Sequence, residues 1–149
     1  MRRSSRLFLF PDVNVWVALT SDGHIHHPSA RAWFDALDIE ARVGFCRFTQ
    51  ISLLRLLTTE AVMGRDDVMT QRAAWEAYDR WLSDDRVLFL NEPPNVETVF
   101  RSLSRGSRSD SKGWADSYLA AFAVGGEMQL VTFDRAFKGR VEHLLVLES

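Results

Sequence analysis

What most constrains this chain is a set of short runs that are apolar throughout or nearly so. Leu7-Phe8-Leu9-Phe10, Val43 to Cys46, Val87 to Leu90, Leu130-Val131-Thr132 and Leu144 to Leu147 are each three or four residues long. None shows the in-and-out alternation of a strand with one wet face, so each reads as a strand buried on both faces. A parallel sheet covered by helices on each side provides that burial. The segments between the runs have helical character. Val13 to Thr20 follows the first strand, and Pro28 to Leu37 carries Ala32, Trp33, Ala36 and Leu37 at helical spacing with Pro28 in its first turn. Thr49 to Thr59 is leucine-rich with Thr49 placed as N-cap, and Asp67 to Leu82 repeats Trp75, Tyr78 and Trp81 every third residue. Val96 to Leu103, the alanine-rich Trp114 to Val124 and one turn over Asp134 to Lys138 complete the set. Ser104 to Gly113 has serine, glycine and charge without apolar periodicity and reads as a loop. Strands alternating with helices predict an α/β three-layer fold with a central, mostly parallel sheet. The 149 residues suit a single domain over 1–149.

Composition narrows the function classes. One cysteine, Cys46, excludes an internal disulfide and a cysteine-rich zinc site, and in its apolar setting reads as a buried, inert thiol. The opening Met1-Arg2-Arg3-Ser4-Ser5-Arg6 has the charge of a signal peptide's front, but the apolar run behind it stops at Pro11-Asp12, too soon for an h-region. No run nears the roughly 20 apolar residues that span a membrane, so a cytoplasmic protein without membrane contact is expected. A formal net charge of −2 gives no general call for nucleic acid, so any RNA-binding face must gather its own cations. Arg101, Arg105, Arg108 and Lys112 on one side, and Arg135, Lys138 and Arg140 on the other, are placed to do so.

The carboxylates are more specific. Asp12 directly follows the first strand and Asp134 lies two residues after Thr132. Residues at the carboxyl ends of parallel strands line the ligand crevice. Asp116 sits in the first turn of its helix, where the macrodipole favours an anion, with Ala120 and Ala123 on the same face to allow close approach to the sheet. A pair of carboxylates ~4 Å apart costs about 4 kcal/mol at an effective dielectric near 20, so three on one rim share protons or a cation. All-oxygen donors suit magnesium or manganese, which serve phosphate chemistry. For any one aspartate, a turn or helix cap explains the position equally well.

With those residues marked, the chain resembles the PIN-domain ribonucleases. Phe10-Pro11-Asp12-Val13-Asn14-Val15-Trp16 resembles the family's opening, Trp114-Ala115-Asp116-Ser117-Tyr118-Leu119-Ala120-Ala121-Phe122-Ala123 its third acidic motif, and Leu130-Val131-Thr132-Phe133-Asp134-Arg135-Ala136-Phe137 its last. Phe45-Cys46-Arg47-Phe48-Thr49-Gln50 and Leu53-Leu54-Arg55-Leu56-Leu57-Thr58 are similar to the VapC-type toxins of bacterial toxin–antitoxin operons. The resemblance implies a PIN-like fold and a magnesium- or manganese-dependent endoribonuclease. Asp12, Asp116 and Asp134 would be its metal ligands and catalytic centre. It implies that Asn14 holds Asp12 or a water, with Thr132 a lesser candidate for that support. It further implies a homodimer, a VapB-type antitoxin whose tail enters the active-site groove, and an RNA substrate such as a tRNA. The glutamate usual after the second strand is by register Ser52 here, and neighbouring Gln50 supplies no charge either. One firmly held ion is therefore expected rather than two, and nothing in the sequence places Glu60 or Glu92 at the site.

Other features stay with simpler readings. His24, His26 and His27 lack paired ligands at helical spacing for a metal, and His27 before Pro28 reads as part of the entry to the second helix. Trp33, Trp75 and Trp81 read as core or subunit surface, while Trp16 and Trp114, each near a site aspartate, leave base stacking open. A phosphatase of the haloacid dehalogenase type needs an aspartate where Asn14 stands, and a receiver domain needs a late lysine that Leu130-Val131-Thr132-Phe133 does not provide. With Ser52 at the glutamate position, the alternative is a PIN fold kept as an antitoxin- or RNA-binding module.

Overall fold

The computed structural model describes residues 7–148, so the basic opening segment lies outside the described residues. Five strands, β1 (Leu9–Pro11), β2 (Val43–Phe45), β3 (Val87–Phe89), β4 (Gln129–Thr132) and β5 (Leu144–Val146), form one sheet in the order β3-β2-β1-β4-β5. Every pairing is parallel, where the sequence predicted a mostly parallel sheet. The chain starts at the centre, winds outward through β2 to β3, and returns to the other side of β1 as β4.

The two-sided burial read from the strands is visible residue by residue. Phe10 and Leu130 point to one core with α7 (Gly113–Gly125) and α6 (Val96–Leu103). Val43, Phe45 and Val131 point to the other, with α1 (Val13–Thr20), α2 (His27–Asp35), α3 (Arg47–Leu57) and α5 (Gln71–Leu82). Phe10 stacks on Phe122 of α7 at 4.7 Å, and Trp16 of α1 stacks on Phe45 at 3.9 Å. Each such fully buried side chain contributes about 1.5–3 kcal/mol. Ala120, Ala121 and Ala123 are fully buried and let α7 lie close to the sheet, and Gly44 leaves room for Leu90, into which a Cβ would run at 2.2 Å.

Some boundaries differ from the sequence expectation. Thr49 is not the N-cap of α3: Cys46 is, and the Thr49 hydroxyl accepts from the Cys46 N–H at 3.0 Å as the third residue of a capping box. The fifth helix starts at Gln71, not Asp67, because Thr70 Oγ1 accepts from Ala73 N and caps it there; a short α4 (Glu60–Met63) precedes it. Helix α7 starts one residue early, at Gly113, whose N–H is held by Asp110 Oδ1 at 2.9 Å. The turn over Asp134 to Lys138 is a 3-10 helix, Arg135–Phe137. Cys46 is buried, and burial pushes its thiol up, which keeps it unreactive. No helix among the described residues is long and apolar enough to cross a membrane.

One fastening was not legible beforehand. Arg86 grips Asp84 through Nε and Nη2, donates from Nη1 to the carbonyls of Phe34 and Leu37 where α2 ends, and lies 4.2 Å over the Phe34 ring. Arg86→Ala is expected to cost about 2–3 kcal/mol in urea unfolding, since it strips two helix-end carbonyls of their donor. Arg86 holds the Asp84 carboxyl below the usual carboxylate range, so this contribution is present at neutral pH and fades as pH falls through that lowered value. A wild-type stability at pH 7 in the variant would show the cluster to be idle.

Candidate active site at the switch point

Strands β1 and β4 are neighbours, yet the chain leaves them in opposite directions. The crevice beyond their carboxyl ends is the switch point where open α/β sheets bind ligands. The sheet register runs at a constant offset: Leu9 pairs with Gln129, Phe10 with Leu130 and Pro11 with Val131. One step further sets Asp12 against Thr132, and the Thr132 hydroxyl donates to Asp12 Oδ2 at 2.8 Å. Asp12 also caps α1, accepting from Val13 N at 2.6 Å through Oδ1. The cap explanation is therefore true of Asp12, but incomplete. A helix-capping carboxylate is ordinarily solvated, whereas Asp12 is 6% exposed.

Thr132 is the hub. Besides donating to Asp12, its fully buried hydroxyl accepts from Asp134 N at 3.0 Å and from Asn14 Nδ2 at 3.4 Å. Asn14 also accepts from Phe133 N at 3.4 Å. Asn14 thus reaches Asp12 through Thr132, with no hydrogen bond of its own to that carboxylate among the described residues, and Thr132, the lesser candidate from the sequence, makes the direct contact. Asp134 caps the 3-10 turn through Ala136 N.

Electrostatics join the three carboxylates. Burial, then the charges of Asp116 and Asp134, push the Asp12 carboxyl above the usual range despite its two hydrogen bonds. Burial and the charge of Asp134 push Asp116 up as well, while Arg140 pulls it down. Among the described residues no three acidic, histidine or cysteine side chains stand together closely enough to hold an ion as they lie. The three are coupled by charge rather than by contact. Their all-oxygen donors and shared repulsion fit a hard divalent cation.

Two further residues join the site, Arg140 from the cations that the sequence set beside it and Ser117, which the sequence did not single out. Arg140 Nη2 donates to Ser117 Oγ at 2.8 Å, which sets a cation beside Asp116. Ser117 in turn donates to the Leu103 carbonyl at 3.4 Å. Arg140 had been grouped with phosphate-contacting cations by proximity in sequence alone, and Ser117 carried no signal beyond following Asp116. Ser52 is buried on α3, and Gln50 accepts from Arg47 Nη1 at 2.7 Å. Neither bonds to the aspartates among the described residues. The histidines serve the turn into α2: His27 Nδ1 lies 2.7 Å from the Ala18 carbonyl, and His26 stacks on Phe133 at 4.6 Å.

Known proteins share the chain's sequence pattern and its fold. The PIN domain family pattern matches residues 9–141. Ribonuclease VapC41 of Mycobacterium tuberculosis H37Rv is 44% identical over 132 residues, which cover 87% of this chain and 90% of the relative. Ribonuclease VapC38 of the same strain is 31% identical over 131 residues, 83% of this chain and 82% of its own. Among solved structures, the fold is shared with M. tuberculosis VapC20, a sarcin-ricin loop cleaving toxin (TM-score 0.68, 20% identity, 94% of this chain and 99% of that one). It is shared too with Rickettsia felis VapBC2 bound to a DNA fragment from their promoter (TM-score 0.67, 15% identity, 95% and 100%).

Proposed function

This chain belongs to the PIN-domain family, and from that membership we propose that it is a metal-dependent endoribonuclease, the toxin of a VapBC-type toxin–antitoxin pair. The observation that carries the chemical part is the buried Asp12 carboxylate, charge-coupled to Asp116 and Asp134 at the switch point. Asp12, Asp116 and Asp134 would hold magnesium or manganese, which when bound supplies Lewis acidity to a water and offsets charge on the scissile phosphodiester. Thr132 fixes the Asp12 carboxylate through Oδ2, and Asn14 fixes Thr132. Arg140, beside Asp116, is placed to receive a phosphate oxygen. With Ser52 in place of a carboxylate, the site has three acidic ligands, which supports one firmly held ion. The partners in this reading are an RNA such as a tRNA, a VapB-type antitoxin and a second copy of the chain, all in the cytoplasm.

Purified, antitoxin-free protein incubated with total RNA and magnesium or manganese is expected to give discrete cleavage products. The products should vanish with chelator and with Asp116→Asn. A well-folded protein that cleaves nothing with either metal would instead be a binding module that retained the fold.

A further inference from the structure

Beside the acidic rim, α6, α7 and the serine-rich loop between them form a second concave surface. A groove of about 550 Å³ is lined by Glu97, Phe100, Arg101, Arg105, Trp114 and Tyr118. It shares Ser104 and Trp114 with a broader hollow of about 1030 Å³ whose wall includes Arg108 and Ser117, the residue after Asp116. The two hollows together extend from the α6–α7 face as far as Ser117, with none of the three aspartates in either lining. Trp114 is 57% exposed, although it stands only two residues before Asp116. It packs T-shaped on Phe100 at 6.0 Å, Phe100 packs T-shaped on Tyr118 at 5.8 Å, and the Tyr118 hydroxyl is tied to Glu92 Oε1 at 2.7 Å. These contacts hold the aromatic wall in place without covering the indole.

The charge of this surface runs against that of the whole. In a chain of formal net charge −2, it brings together Arg101, Arg105 and Arg108 against Glu97 and Asp110. Arg101 is paired with Glu97 at 2.8 Å, while Arg105 and Arg108 make no ion pair among the described residues. An exposed indole set among cations, on the helix that carries Asp116, matches what single-stranded nucleic acid requires: a face for a base and charge for the backbone.

Resting on the ribonuclease reading, we infer that the α6–α7 groove is a base-binding subsite for single-stranded RNA, in which a base stacks on Trp114 while Arg105 and Arg108 hold the flanking phosphates.

The test is a cycle in which base and indole are removed separately. The binding of a labelled oligoribonucleotide of about 12 nucleotides, a length such grooves span, is measured by fluorescence anisotropy. The second probe has the same backbone with stable abasic residues throughout. Both are titrated onto Asp116→Asn protein, so that cleavage plays no part, with Trp114 intact, Trp114→Ala or Trp114→Phe. Trp114→Ala is expected to weaken RNA binding on the order of 10- to 100-fold, to leave abasic binding within about twofold, and to be largely rescued by Trp114→Phe. Unchanged RNA affinity, or an equal loss for both probes, would overturn the subsite. So would a Trp114→Ala protein that loses only its capture of co-expressed antitoxin, since the groove would then belong to a protein partner. Wild-type protein that cleaves no RNA but shows the base dependence would retain the subsite and remove the ribonuclease reading.

Discussion

Asp12→Asn is expected to lower RNA cleavage by at least about a thousandfold and, in the absence of metal, to raise the melting temperature. The loss follows if Asp12 is a principal ligand, because metal stabilisation of transition-state charge amounts to several kcal/mol. The gain follows from linkage. Burial and the charges of Asp116 and Asp134 raise the folded Asp12 carboxyl above its unfolded value of 3.8. A carboxyl raised on folding favours the folded state while protonated, and that stability is lost as pH rises through the raised value. Metal-free wild type should therefore lose this contribution as pH climbs from 3.8 through the raised value. The asparagine amide resembles the protonated acid in shape and charge, so the metal-free variant should melt above wild type at neutral pH, with the gap closing as pH falls. Magnesium should reverse the order by stabilising wild type and leaving the variant where it was. Scanning calorimetry across pH, with and without the ion, reads both effects. A variant that melts lower throughout would reduce Asp12 to the cap of α1.

What the sequence made legible was local. Unbroken apolar runs predict strands buried on both faces, and Phe10 and Val131 fill opposite cores as that requires. Asp12 and Asp134 follow strands, so their place at the carboxyl rim needs no tertiary knowledge. Thr132 was undervalued because its partner Asp12 is 120 residues away, and only the β1–β4 register brings them together. Asn14 was the better candidate because the family resemblance implies an asparagine two places after the first aspartate. Helix α1 turns it instead towards Thr132 and Phe133. The partners of Arg140 and Arg86 were hidden for the same reason: each long side chain crosses to an element far along the chain, Ser117 for one and the end of α2 for the other. The starts of α3 and α5 were misplaced where more than one residue offered a cap. Thr49 is a sound N-cap by type, but the chain enters the helix at Cys46 and uses Thr49 to close the box.

Thr132→Val should expose this dependence on register. Valine replaces the hydroxyl with a methyl group of similar size, so packing in the fully buried pocket is preserved while three hydrogen bonds disappear. Asp12 Oδ2 then has no protein donor, and the Asp134 N–H and Asn14 amide lose their acceptor. Leaving such groups unpaired costs about 1–3 kcal/mol each when buried; partial access for Asp134 and Asn14 keeps the expected loss near about 2–4 kcal/mol. Cleavage should fall about 10- to 100-fold, as for other removals of a ligand's supporting hydrogen bond. Because the Thr132 hydroxyl lowers the Asp12 carboxyl, its removal raises that group further, and cleavage should need more magnesium at pH 6 than at pH 8. Thr132→Ser keeps the hydroxyl and loses only a methyl group. It should stay within several-fold of wild type and show the wild-type magnesium requirement at both pH values. That contrast separates positioning from folding, since the magnesium requirement at pH 6 is not moved by stability alone. If the valine and serine variants cleave equally well, Asp12 is held by its backbone and helix alone, and the hydroxyl hub belongs to the fold rather than to the chemistry.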